Sequence, residues 1–184
     1  MLILAIDPGT TQSAFCLMRT EDQSCVEFGI RANAALPGTV LEAYPVGRVV
    51  LEMVASYGMP VGREVFETCV WIGRFAQIAE DWDVPVDFVY RRDVKLHLCG
   101  SAQANDANIR HALIDRYAAH DLKSGKGTKK NPDWFYGFAK DVWAADTAEI
   151  NSVIEACPNW ERIKNSARFG YCGKQRGFFR RRGP

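Results

Sequence analysis

Two acids sit where apolar runs end. Leu2 to Ile6 is uninterrupted hydrophobic chain and stops at Asp7, which turns through Pro8, Gly9, Thr10 and Thr11. Val49 to Val54 repeats the pattern, broken by Glu52. Runs this apolar suit strands covered on both faces, and a carboxylate at the end of such a strand belongs where the sheet meets solvent, metal or substrate. Asp7 has a second use open to it, an Asx-type turn to the backbone of Gly9 or Thr10. Two carboxylates on neighbouring strand ends repel each other unless a cation lies between them. Hard oxygen donors of this kind suit Mg²⁺ or Mn²⁺. A pair of such ions about 4 Å apart activates water on one side of a phosphodiester and stabilises the leaving oxygen on the other.

A third ligand is expected from a helix over residues 139–156. At 100° per residue, Val142, Trp143, Ile150, Val153 and Ile154 share an apolar face, and Asp141 points away from it beside Ala145, Ala148 and Ser152. Asp141 is the candidate ligand, although a first-turn acid also complements the helix dipole. Asp146 falls on the apolar face and is held as a fourth candidate.

The elements that must position these acids are read from periodicity and turn chemistry. Strands are expected near Leu2–Ile6, Gln12–Met18 and Ser24–Ile30, then a loop from Ala32 to Pro45 and a strand over Arg48–Val54. A long helix from Arg63 to Ala79, a strand over Pro85–Tyr90, helices over Asp93–Leu98 and Asn105–Ala118, and a Gly- and Lys-rich loop from Ala119 to Tyr136 follow. This order predicts an α/β mixed sheet, antiparallel at first and parallel afterwards, flanked by helices. The first and fourth strands lie side by side in such a sheet, bringing Asp7 and Glu52 to one edge.

The bulk properties fit one domain of 184 residues, with 47% hydrophobic and 24% charged side chains. A net charge of +1 conceals local basic patches: Arg91 with Arg92, then Lys123, Lys126, Lys129 and Lys130, then the tail GKQRGFFRRRGP. The six cysteines form no CxxC pair and no zinc-site spacing. No signal-peptide pattern precedes Asp7 and no apolar run reaches membrane-spanning length, so free thiols in a reducing cytoplasm are expected. His97, His111 and His120 fall in helical contexts without ligand spacing and are read as structural or surface residues.

The segments IDPGTTQSAF, VVLEMVASYG, RRDVKLHLCGSAQANDANIRHAL and KDVWAA, in this order, resemble the RuvC-like Holliday-junction resolvases of the ribonuclease H superfamily, particularly the small bacteriophage versions. The resemblance spans residues 1–156 and implies a ribonuclease H-like nuclease domain, with 157–184 a basic tail. It implies metal ligands at Asp7, Glu52 and Asp141, a basic catalytic residue at Lys95, Mg²⁺ or Mn²⁺ as cofactor with two ions, and nicking of branched DNA by a homodimer. It also implies residence in a host cytoplasm if the chain is phage-encoded. Arg91, Arg92, Lys95 and the four loop lysines then become DNA-contact candidates by charge. Tyr57 and Met59 become candidate wedges against unstacked bases, or else pack on the following helix. The Arg63–Ala79 helix, with Phe66, Trp71 and Phe75, is the candidate dimer surface, and core packing accounts for those aromatics equally well.

Three departures from the family pattern stand out. Ala144 occupies the place of a second acid on the last helix, the expected second lysine is replaced by Ala104, Asn105 or Asp106, and Asp146 and Glu149 interrupt the final apolar stretch. The first of these motivates an alternative, a branched-DNA binder impaired in cleavage. DPGTT also resembles the phosphate loop of sugar kinases and actin-like ATPases, but those bind ATP between two copies of the fold, and this length holds one.

Overall fold

The computed structural model describes residues 1–138. The helix expected over 139–156, with Asp141 and Asp146, and the boundary between 156 and 157 lie outside the described residues.

The elements are β1 (Leu2–Asp7), β2 (Gln12–Arg19), β3 (Cys25–Ala32), α1 (Gly38–Ala43), β4 (Val46–Met53), α2 (Arg63–Asp81), β5 (Val86–Tyr90), α3 (Arg91–Cys99) and α4 (Asp106–Tyr117). The five strands form one sheet in the order β3-β2-β1-β4-β5. β1 pairs antiparallel with β2 and parallel with β4, β2 pairs antiparallel with β3, and β4 pairs parallel with β5. The expected mixed sheet and the adjacency of first and fourth strands are both present.

Alternation along the strands builds two cores. Ile3 and Ala5 of β1, Ala14, Cys16 and Met18 of β2 and Val50 of β4 pack with Val94, Ile109, Leu113 and Ile114 of α3 and α4. Leu4, Ile6, Phe15, Leu17, Val49 and Leu51 face the other way, onto α1 and α2 through Val40, Leu41, Ile72, Phe75 and Ala79. Because both faces of β1 are covered, its sequence shows no polar alternation.

Three local readings are corrected. The span from Ala32 to Pro45 is not all loop: α1 forms there, anchored by buried Val40 and Leu41, and its six residues are too few to print a helical period. α3 starts at Arg91, two residues before its expected start, and ends in left-handed Gly100. His120 lies beyond α4, in the following loop, where its Nε2 stands 3.2 Å from the Asn131 carbonyl oxygen.

That loop is built around two carboxylates. Asp133 accepts from the backbone N–H groups of Ala119, His120, Asp121 and Trp134. Asp121 accepts from Lys123, Ser124 and Gly127 N–H and from the Ser124 hydroxyl. Burial acts to raise the Asp133 carboxyl, but its backbone donors outweigh this and hold it well below the usual range. At the tip, Thr128 and Asn131 exchange backbone hydrogen bonds across Lys129 and Lys130. This is a two-residue hairpin turn.

Candidate functional site

The register fixes the relation between the two described acids. β1 and β4 run parallel with Ile6 beside Leu51, so the next residues, Asp7 and Glu52, leave adjacent strand ends. Ile6 and Leu51 share the α1/α2 core, so alternation turns Asp7 and Glu52 to the opposite face, toward α3. A cleft of about 590 Å³ opens at this edge, lined by Asp7 and Glu52 together with Pro8, Gly9, Thr10, Tyr57, Glu64, Thr68 and Arg91.

Glu52 is 8% exposed, and its Oε2 is buried with no hydrogen-bond partner among the described residues. Burial first, and the charge of Asp7 second, push its carboxyl up to about 8, against the opposing pull of Arg91 and Lys95. Arg91 and Lys95 stand one turn apart on α3 and supply the positive field at this edge. Arg91 is also tied from α4, donating to Asp106 at 2.8 Å.

The turn after Asp7 is held by side chains from β2 and from beyond β3. Gly9 N–H donates to Ser13 Oγ at 3.1 Å, Ser13 Oγ donates to Asn33 Oδ1 at 2.6 Å, and Asn33 Nδ2 donates to the Gly9 carbonyl at 2.8 Å. A Cβ on Gly9 would stand 2.4 Å from the Gln12 carbonyl oxygen, so only glycine fits.

The remaining candidates separate. Arg92 is exposed at the start of α3. Lys123, Lys129 and Lys130 are exposed on the carboxylate-built loop, whereas Lys126 is half-buried and donates to the Phe138 carbonyl at 2.7 Å. Tyr57 and Met59 do not pack under α2: they are 57% and 67% exposed, and Tyr57 takes a left-handed φ of 47° at the cleft wall. Among the three α2 aromatics, Phe75 is fully buried and Trp71 half-buried, so only Phe66, at 61% exposure, offers a surface. Val70, one turn on, is 55% exposed.

Sequence reasoning missed Glu64, Thr68, Ser13, Asn33 and Asp106. Thr68 and Glu64 come from the α2 face that turns toward the cleft, which spacing alone does not aim. Among the described residues, no three His, Cys, Asp or Glu side chains converge as a metal cluster, and Asp141 lies outside them.

No family model matches the chain, and no curated protein sequence matches it. Solved structures do. The chain is similar to a Thermus thermophilus RuvC structure at TM-score 0.63 and 14% identity, covering 89% of this chain and 97% of that one. It is similar to T. thermophilus RuvC in complex with a Holliday junction substrate at TM-score 0.61 and 14% identity, covering 89% and 96%. The five-stranded mixed sheet with its flanking helices is therefore a RuvC-type, ribonuclease H-like fold.

Proposed function

We propose that this protein is a structure-selective, metal-dependent endonuclease that nicks branched DNA, with four-way junctions as substrate. The observation that carries this reading is the pair of carboxylates at the β1 and β4 ends, one with a buried oxygen that no hydrogen-bond partner among the described residues reaches. A protein that only bound DNA would gain nothing from acids beside phosphates, where they repel. The T. thermophilus neighbour bound to a Holliday junction substrate supports the choice of substrate class.

Asp7 and Glu52 fit a divalent cation by donor chemistry: two hard oxygens, crowded enough that burial and mutual repulsion hold Glu52 protonated. Asp141 is the proposed third ligand, and two Mg²⁺ or Mn²⁺ ions are the proposed cofactors. When bound, such ions supply an activated water and charge neutralisation on the phosphodiester. The chain's own cations do the rest. Arg91 and Lys95 draw a phosphate into the cleft and offset the charge that develops on it, as positive groups fixed in a partly water-excluded site do. Arg92 and the lysines of the 123–130 loop track the DNA backbone by charge, without reading sequence. Tyr57, exposed beside the acids, offers a face for an unstacked base at the branch point.

Symmetric nicking of two strands of equal polarity calls for a two-fold homodimer. Phe66 and Val70 on the outer face of α2 are the proposed contact, since they expose adjacent large apolar groups. The protein is proposed to act in the cytoplasm, as a resolvase of the bacteriophage type. No helix among the described residues is long and apolar enough to cross a membrane.

The direct test is cleavage of a labelled four-way junction beside linear duplex of the same sequence, in Mg²⁺, Mn²⁺ and chelator. Paired metal-dependent nicks confined to the junction support the reading. Tight binding with no cleavage in either metal contradicts it in favour of a binder.

A further inference from the structure

A carboxylate at a strand end takes its direction from the backbone that follows it. After Asp7 comes Pro8, buried and without an N–H, and then Gly9, the first residue with both a backbone donor and an acceptor to fix. Both are taken by side chains: Ser13 Oγ, four residues on, accepts the N–H at 3.1 Å, and Asn33 Nδ2, 24 positions away, donates to the carbonyl at 2.8 Å. The Ser13 hydroxyl closes the ring on Asn33 Oδ1 at 2.6 Å. Every role in the ring is determined. A hydroxyl oxygen accepting from Gly9 sends its hydrogen to Asn33, which leaves the Asn33 NH₂ for Gly9. Asn33 N–H adds a bond to the Thr11 carbonyl at 3.0 Å, so the turn is gripped on both sides of its apex.

Ser13 and Asn33 are each 1% exposed, so water does not stand in for either of them. Ala14, Phe15 and Leu36, close to them along the chain, are buried apolar residues. A fully satisfied polar network in such surroundings defines one geometry rather than adding burial. The geometry it defines is the cleft wall formed by Pro8, Gly9 and Thr10 beside Asp7.

We infer that Ser13 and Asn33 are positioning residues for Asp7, their ring around Gly9 holding the Asp7–Thr11 turn in the shape that seats a divalent cation. This rests on the metal-cleft reading given under the proposed function. It assigns a role to two residues that touch neither metal nor DNA.

The test measures Mn²⁺ affinity of the whole protein by calorimetry or electron paramagnetic resonance, at a temperature where circular dichroism shows each variant folded. Ser13→Ala, which removes the hydroxyl, is expected to weaken the Asp7-dependent Mn²⁺ site by about 10-fold to 100-fold, as loss of a ligand-orienting partner does. Ser13→Thr, which keeps the hydroxyl, is expected to restore it. Asn33→Asp provides a second variant of the same shape: it leaves the Gly9 carbonyl unpaired and is expected to weaken Mn²⁺ even though it adds negative charge nearby. Wild-type Mn²⁺ affinity in both Ser13→Ala and Asn33→Asp, with only the melting temperature lowered, would overturn the positioning role and leave the metal reading standing. Mn²⁺ binding that survives Asp7→Asn would overturn the metal reading, and this inference with it.

Discussion

Asp7 and Glu52 leave neighbouring parallel strands side by side, one residue beyond the Ile6–Leu51 pair, and both turn to the face where α3 carries Arg91 and Lys95. The Glu52 carboxyl is raised to about 8 by burial and by Asp7. A carboxyl raised in the folded state holds its proton there while the unfolded chain has lost it. Its stabilising effect is complete below the unfolded value near 4.5 and disappears as pH rises through the folded value. The metal-free protein should therefore lose stability between about pH 4.5 and pH 8, and Glu52→Gln should flatten this profile and melt higher than wild type at pH 8. Added Mn²⁺ should raise the wild-type melting temperature at pH 8 and leave that of Glu52→Gln nearly unchanged. Urea or thermal melts across this range check it, and a Glu52→Gln profile as steep as wild type would contradict the burial argument.

Lys129 and Lys130 sit at the tip of a turn whose flanks exchange backbone hydrogen bonds, so two charges are presented in a fixed place. Replacing both with alanine should weaken junction binding and reduce the slope of log affinity against log salt by about 0.9 per lost phosphate contact, about 1.8 in all. The single-turnover cleavage rate at saturating enzyme should stay unchanged. Binding titrations over a salt series measure this, and an unaltered slope would remove the loop from the DNA interface.

The same loop depends on Asp133, which is 8% exposed and accepts from four backbone N–H groups. Asp133→Asn keeps the shape but turns acceptor capacity into donors, and should cost about 2–3 kcal/mol at neutral pH, the scale of a charge-assisted hydrogen bond lost in a buried place. Its carboxyl is depressed on folding, so the stability it gives is present above the unfolded value near 3.8 and is lost as pH falls toward the folded value. The variant should consequently show a shallower acid-unfolding limb below about pH 4, read by circular dichroism.

Phe66 and Val70 are the large apolar side chains that α2 leaves exposed, while its Ile72 and Phe75 are buried in the core. Wild type should sediment as the proposed dimer in analytical ultracentrifugation and Phe66→Glu as a monomer, with the melting temperature within a few degrees of wild type, as for surface substitutions. A dimer that persists in this variant would place the interface elsewhere.

What the sequence made legible follows from what is local. The apolar run of β1, covered on both faces, and the acid that ends it are written in consecutive residues, as is the stripe of α2. Strand order followed from element order and turn length, and with it the meeting of Asp7 and Glu52. What could not be read depends on partners far along the chain. Asn33 meets Gly9 across 24 positions, and Asp133 reaches back to Ala119 across 14, which gives an apparent loop a fixed shape. Phe75 and Phe66 share a helix and a residue type, and only packing against the sheet tells core from surface. α1 was hidden because Pro37 and Gly38 read as loop punctuation, although Pro37 stands at its N-cap and Gly38 at its first residue.

If Asp7 belongs to a metal seat for phosphodiester cleavage, its carboxylate is needed for cutting and not for binding the junction. Wild type and Asp7→Asn are incubated with a labelled four-way junction in Mg²⁺ and in Mn²⁺, with binding of the same junction measured in parallel without metal. The wild type should give symmetric nicks and Asp7→Asn none, while the variant should bind as tightly as wild type or more tightly, because one negative charge has left the proposed phosphate-facing surface. Cleavage by Asp7→Asn at the wild-type rate would contradict the metal seat at Asp7.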